Sequence, residues 1–261
     1  MADLDDDTTA QRAAWESEQT KMKQALDTTS TVDLTSLTRI GGVDISFFKG
    51  TDDACAALVV LSYPDMKVLC EASCYTKLTL PYIPTFLGFR ELPALLPLFD
   101  MIPDELQPQL VLVDGNGLLH PRGFGLASHL GVVKDLPTIG VAKTFLNVDG
   151  LMKSHVRTLV QDAKTEQRHG DNTSKDVVIE LRGNSGAVWG AAVCTKRIEN
   201  PIYVSVGHRI TLAQAVQVSM ECSLYRVPEP IRQADLRSRA IIRRWEAEGV
   251  DERLRSYQVC L

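Results

Sequence analysis

Four acidic side chains stand where a carboxylate is costly, and together they suit oxygen-only coordination of a divalent cation. Asp44 lies inside RIGGVDISF, between Val43 and Ile45, in a strand-like run where aspartate is disfavoured. Asp114 closes the apolar run LVLVD directly before Gly115-Asn116-Gly117. In open α/β sheets, ligands bind where a strand's carboxyl end meets a tight turn. Glu91 shares a helical stripe with Leu87, Leu95 and Leu98 if the helix continues through Pro93; Asp235 shares one with Ile231, Ser238 and Ile242. Buried bare, each acid would cost several kcal/mol, so all four must meet cations, hydrogen-bond donors or water. A shared site for Mg²⁺, with Mn²⁺ as substitute, satisfies them, and oxygen ligation disfavours zinc. Taken singly, each acid reads equally as a salt-bridge partner or a cap, and Asp114 as ordinary turn chemistry before glycine. Periodicity does not show that they converge.

The elements that must position these acids form a mixed pattern. A helix is expected from Thr8 or Thr9 to about Leu26, then a Ser/Thr-rich linker from Thr28 to Ser36. Three strand-like runs follow (Arg39 to Phe48, Cys55 to Ser62, Lys67 to Thr76), with breaks short enough for an antiparallel meander. Phe86 to Met101 is helical in spacing, with Pro93 expected to kink it or to start a second helix. Buried strands are expected at Gln109 to Val113 and Pro137 to Val141, with a helix from Gly125 to Val133 between them. Gln161 to Lys175 reads as an exposed loop. Strands recur at Asp176 to Leu181, Val188 to Thr195 and Pro201 to Val206, and helices at Thr211 to Ser223 and Pro230 to Glu248. The pattern implies a single mixed α/β domain: a helix and linker over 1–36, the domain itself over 37–249 and a tail over 250–261.

Composition bounds the function. The chain has 261 residues, 44% of them hydrophobic, which suffices for a substantial core. A formal net charge of -5 argues against nucleic-acid binding by bulk electrostatics but leaves room for one basic channel. Arg232, Arg237, Arg239, Arg243 and Arg244, with Arg253 and Arg255 beyond them, give a local basic surface that either tracks phosphates or is a solvated face. The six cysteines show no CxxC pair and are expected to be reduced core thiols, not disulfides or zinc ligands. The acidic start lacks the apolar segment of a secretory signal, and no run reaches the ~20 apolar residues of a membrane span. An intracellular protein of the cytoplasm, the nucleus (nucleolus included) or both is expected.

The blocks VDISF, PYIPTFLGFRE, DGNGLLHPRGFGLASHLG, GVAK, and SVGHR followed by RVPEPIRQAD together resemble the endonuclease V family, in family order, over roughly Gly41 to Arg239. The resemblance implies an RNase H-like mixed sheet with its first three strands antiparallel, flanked by helices. It implies that Asp44, Glu91, Asp114 and Asp235 form the carboxylate cluster, the last position being aspartate in some members and histidine in others. It places Lys143 near the scissile phosphate, where an ammonium stabilises developing charge; without the resemblance, a solvated lysine is the plainer reading.

The family activity is cleavage at the second phosphodiester 3′ to a deaminated purine, leaving a 3′-hydroxyl and a 5′-phosphate. Pro81-Tyr82-Ile83-Pro84 resembles the family's wedge, suited to insertion into a base stack; otherwise it is a plain connection with Tyr82 packed inward. Gly115, Asn116, Gly117, His120, Arg122, Gly123 and Gly125 are expected around the purine, with glycines permitting close backbone approach. His208 and Arg209 read either as backbone contacts or as a core histidine and a surface arginine. SFFKG, GVDIS and RVPEPIRQAD resemble eukaryotic members more closely, which implies inosine-containing RNA as the partner, with DNA carrying deaminated bases as the alternative. A non-cleaving inosine-RNA binding module and an ATPase-like relative of the broad fold remain open, although no P-loop is present.

Overall fold

The computed structural model describes residues 2–169, 176–195, 200–249 and 256–260. The meander forms as its patterning requires: β1 (Arg39–Phe47), β2 (Asp53–Ser62) and β3 (Val68–Lys77) are antiparallel neighbours. After α2 (Leu87–Met101), β4 (Leu110–Asp114) returns parallel to β1, and after α3 (Leu126–Lys134), β5 (Thr138–Ala142) lies parallel to β4. Then come α4 (Lys153–His169), β6 (Val177–Arg182), β7 (Val188–Cys194) and β8 (Ile202–His208), with β8 antiparallel to β5. The helices α5 (Leu212–Glu221) and α6 (Glu229–Glu248) and a last strand, β9 (Ser256–Cys260), complete the order. Among the described residues the strands make one sheet, β6-β7-β8-β5-β4-β1-β2-β3-β9.

The apolar run of β4 is continuous because both of its faces are covered. Leu110 and Leu112 pack with Ile231 and Ala234 of α6 and Val218 of α5. Val111 and Val113 pack on the other face with Leu95 and Leu98 of α2 and Leu130 of α3. The strand ends near Asp44 and Asp114 are therefore flanked by a helix on each side. The remaining helix, α1 (Ala2–Lys23), docks through Trp15 on Ile83 and Phe86, just before α2, and on Phe89 of α2. No helix among the described residues is long and apolar enough to cross a membrane.

Several expectations are corrected. α2 runs through Pro93 and Pro97 as one helix, so no second helix begins at Pro93. Both prolines are exposed and four residues apart, so they share the face of the helix turned away from the core. Buried Leu92, Leu95, Leu98 and Phe99 hold the other side. The stretch from Gln161 is helical to His169, not a loop, because Val156 and Val160 anchor α4 from its N-terminal half; residues 170–175 lie outside the described residues. α1 begins at Ala2, earlier than expected, and so takes in the acidic stretch of the sequence before Thr8, a composition that suits a helix N-terminus. The segment read as a linker is held, for example by Gln214, whose side chain bonds both backbone groups of Val32. The segment read as a tail supplies β9, which pairs with β3 in the register Cys70↔Cys260. These two cysteines form a disulfide, so the expectation of six reduced thiols fails for this pair. Cys55, Cys74, Cys194 and Cys222 keep their thiols outside any disulfide.

Candidate active site and base pocket

Strand register brings the first two acids together. Val43 pairs with Val113 at the end of the β1–β4 ladder, so Asp44 and Asp114 emerge side by side one residue later. Asp235 arrives from α6, which lies close over β1 because Gly42 has no side chain. A Cβ on Gly42 would stand 2.1 Å from the backbone carbonyl of Pro230. From that contact, Asp44 lies two strand residues on and Asp235 five helix residues on, about 7 Å in each case. Ser238, one turn after Asp235, contacts Asp44 Oδ2 at 3.4 Å and shares a 2.8 Å hydrogen bond with Ser46. Glu91 approaches from α2 on the opposite face.

The sheet end thus separates two hollows with Asp44 and Asp114 on the rim of both. The larger, about 520 Å³, is bordered by Asp235, Lys143, Arg239, Arg243 and Lys49; the smaller, about 160 Å³, by Glu91, Leu87 and Leu126. Lys143, just past β5, donates to Asp114 Oδ2 at 2.5 Å, and Arg239 Nε lies 2.7 Å from Asp235 Oδ1.

The electrostatics follow from this crowding. Burial, then the charges of Asp114 and Asp235, push Asp44 up to about 7 against the pull of Lys143 and Arg239. Burial and the charge of Asp44 push Glu91 up to about 8, with Arg90 opposing. Burial alone would lower Lys143, but Asp114, Asp44 and Asp235 outweigh it and raise the ammonium above its usual range. Among the described residues no three acidic, histidine or cysteine side chains are closed around a common centre; Asp114 and Asp235 are each turned to a cation instead. The donor set nonetheless fits a hard divalent ion, because two mutually repelling, desolvated carboxylates are what such an ion relieves.

A separate pocket of about 230 Å³ adjoins the smaller hollow and shares Leu87 and Leu126 with it. Gly115, Asn116 and His120 line it, together with Thr85, Gly88, His129, Phe145 and Gln19, which the sequence did not single out. TFLGF after the wedge and the residues after GVAK carried the available signal for most of these. Gln19 carried none, since it lies in α1. Burial holds His120 and His129 down to about 4, so both rings are neutral near pH 7. Tyr82 stands at the pocket 64% exposed, which excludes the inward-packed alternative; Pro81 and Pro84 are exposed beside it, while Ile83 is buried under Trp15.

Other expected contacts are engaged within the protein. Gly117 packs on β8, where a Cβ would sit 2.0 Å from the Val206 carbonyl oxygen, and Gly123 packs beside Lys23. The Arg122 guanidinium bonds Thr85 and Gln19 and lies over the Phe86 ring. His208 pairs with Thr138 at the start of β5, the end away from Lys143; it is 4% exposed and accepts from the Asp27 amide. Arg209 pairs with Asp135 at 3.0 Å. Of the two readings left open for this pair, His208 takes the core position, while Arg209 stays at the surface, paired with Asp135.

The basic face of α6 divides. Arg232 pairs with Glu229, Arg237 with Glu71 and Arg244 with Glu248, whereas Arg239 and Arg243 border the carboxylate hollow. Arg253 and Arg255 lie outside the described residues.

The Endonuclease V family model matches residues 20–236. Mouse Endonuclease V is 46% identical over 243 residues, covering 88% of this chain and 69% of its own. The crystal structure of the human Endonuclease V catalytic domain superposes with a TM-score of 0.83 at 42% identity, covering 91% of this chain and 98% of that one. That of Ciona intestinalis Endonuclease V, in complex with a 24mer DNA containing an inosine followed by a ribo-adenosine, gives 0.81 at 33% identity, covering 90% and 99%. With Asp44 and Asp114 side by side at the strand ends and a family model spanning most of the sequence, the chain belongs to the endonuclease V family.

Proposed function

We propose that the protein is a Mg²⁺-dependent endonuclease that recognises inosine, preferentially in RNA, and cuts the second phosphodiester on its 3′ side, leaving a 3′-hydroxyl and a 5′-phosphate. Mn²⁺ substitutes for Mg²⁺. The observation that carries this reading is the adjacency of two different sites: an acidic cluster facing Lys143, and a neutral pocket that shares one wall with it.

Asp44 and Asp114 would hold the metal, with Glu91 and Asp235 beside them on either face. A bound divalent ion supplies a water of lowered pKa and neutralises charge on the phosphate. Lys143 brings a fixed ammonium to the side where negative charge develops. Arg239, Arg243 and Lys49 border the larger hollow and suit the backbone of an entering strand. Hypoxanthine lacks guanine's exocyclic amine and carries a carbonyl where adenine has an amine. A tight, uncharged pocket bounded by Gly115 and His120 suits that difference, and exposed Tyr82 suits stacking on the base left behind. Pocket and cluster lie side by side and do not coincide, which supports a cut displaced from the base that is read.

The RNA preference draws on the eukaryotic wording of the motifs. It is consistent with the Ciona complex, whose DNA carries a ribo-adenosine after the inosine. The test is cleavage of matched RNA and DNA strands with one inosine each, plus a DNA strand with a single ribose after the inosine, in Mg²⁺ or EDTA. Rapid cutting of the RNA and the mixed strand, slow cutting of all-DNA and none in EDTA is expected. Equal rates on RNA and DNA overturn the RNA preference. Binding without cutting in Mg²⁺ overturns the endonuclease assignment in favour of a recognition module.

A further inference from the structure

We infer that Gln19, on the N-terminal helix and just outside the residues matched by the family model, is a specificity-determining positioning residue that sets the spacing of the purine pocket's walls. The inference rests on the reading of that pocket as the inosine site.

Gln19 is 4% exposed. Its amide nitrogen donates to the Thr85 carbonyl at 3.1 Å on one wall and to the Phe124 carbonyl at 3.2 Å on the other. Its amide oxygen accepts from Arg122 Nε at 2.5 Å. One planar group thus joins the segment after the wedge, the loop after Asp114 and the arginine between them, across 66, 105 and 103 positions of sequence.

Thr85 needs that support, because it is held at φ 73°, a left-handed conformation that β-branched residues rarely adopt. Its carbonyl also accepts from Arg122 Nη2 at 2.8 Å and meets His120 Nε2 at 3.0 Å. The Arg122 amide donates to His120 Nδ1 at 3.2 Å. Nδ1 is therefore the acceptor, and Nε2 carries the proton that it gives to Thr85. The tautomer of a pocket histidine is thereby fixed through a carbonyl that Gln19 also holds.

The helix is docked for this task. Trp15, one turn before Gln19, stacks on Phe89 at 5.2 Å, and Lys23, one turn after, donates to the Arg122 carbonyl at 2.8 Å. Positions 15, 19 and 23 form one stripe, with apolar and cationic anchors on either side of the amide.

The test uses the full chain and single-stranded RNAs that differ only in inosine or guanosine at one position. Gln19→Met keeps the length of the side chain and removes its three hydrogen bonds. The expected result is a folded protein with a somewhat lowered melting temperature, because the Phe124 carbonyl and Arg122 lose a partner, and about a tenfold loss in the inosine-over-guanosine ratio of binding and single-turnover cleavage. A merely structural role would lower both strands together. A ratio within twofold of wild type overturns the inference. If Gln19→Met does not fold, Gln19→Glu decides, because it keeps the Arg122 partner and removes both N–H donors. The same loss is expected, and a retained ratio overturns the inference. A wild-type protein that does not distinguish the two strands overturns the pocket reading and this inference with it. A wild-type preference retained in the variant overturns this inference alone.

Discussion

Replacing Asp44 by asparagine separates the cost of the acidic cluster from its use. Both Asp44 and Glu91 have folded-state pKa values raised by burial and by neighbouring acids, from 3.8 to about 7 and from 4.5 to about 8. A raised carboxyl stabilises the folded state fully at pH values below its unfolded value, and that stability is lost as pH climbs through the folded value. In EDTA the wild type is therefore expected to melt lower at pH 8.5 than at pH 5. The Asp44 rise corresponds to ~4 kcal/mol against its ionised form, and screening at the open hollow leaves ~2 kcal/mol. For a domain of this size that is roughly 4–8 °C. Asp44→Asn does not titrate, so at pH 8.5 in EDTA it should melt that much above wild type while cutting inosine RNA at least ~10³-fold more slowly. Mg²⁺ should raise the wild-type melting temperature and hardly move that of the variant. Differential scanning fluorimetry at the two pH values, with and without Mg²⁺, reads all of this. A variant that melts below wild type at both pH values, with an unchanged pH slope, refutes the argument.

Three other substitutions probe the scaffold and the two sites. Gly42→Ala places a methyl against the Pro230 carbonyl, so it should cost ~1–3 kcal/mol in urea unfolding and lower cleavage by displacing Asp235. Tyr82→Ala should weaken cleavage of inosine in a duplex more than in a single strand, with ~1–3 kcal/mol of stacking removed and little change in melting temperature. Arg209→Ala, at the sheet end away from Lys143, should leave the cleavage rate within about twofold of wild type; a loss as large as that of Lys143→Met would return Arg209 to the substrate path.

The acids were legible because each violates the local rule of its element: Asp44 within a strand, Asp114 at a buried strand's end, Glu91 and Asp235 on apolar helical stripes. Their convergence was not legible, because it depends on the β1–β4 register and on Gly42 admitting α6, and neither has a local signature. The meander, β4 and β5 were readable from continuous or alternating apolar runs. α4 was missed because two valines carry most of its burial and Ala163 is the one apolar residue of its second half. β9 and its disulfide were missed because a five-residue edge strand pairs only through tertiary context. The glycine-rich block pointed to a pocket, but not to which residues face it. Arg122 turned inward to Gln19 and Thr85, and Gln19 came from a helix that no motif tied to the chemistry.

The central claim, that the strand-end carboxylates gather a divalent ion beside the purine pocket, is tested most directly by crystals of the protein grown with inosine RNA and Mn²⁺. The anomalous difference map should show manganese bounded by Asp44 and Asp114, with the inosine base in the pocket walled by Gly115 and His120. Manganese bound elsewhere, or density absent between those two aspartates in crystals whose RNA has been cut, would contradict it.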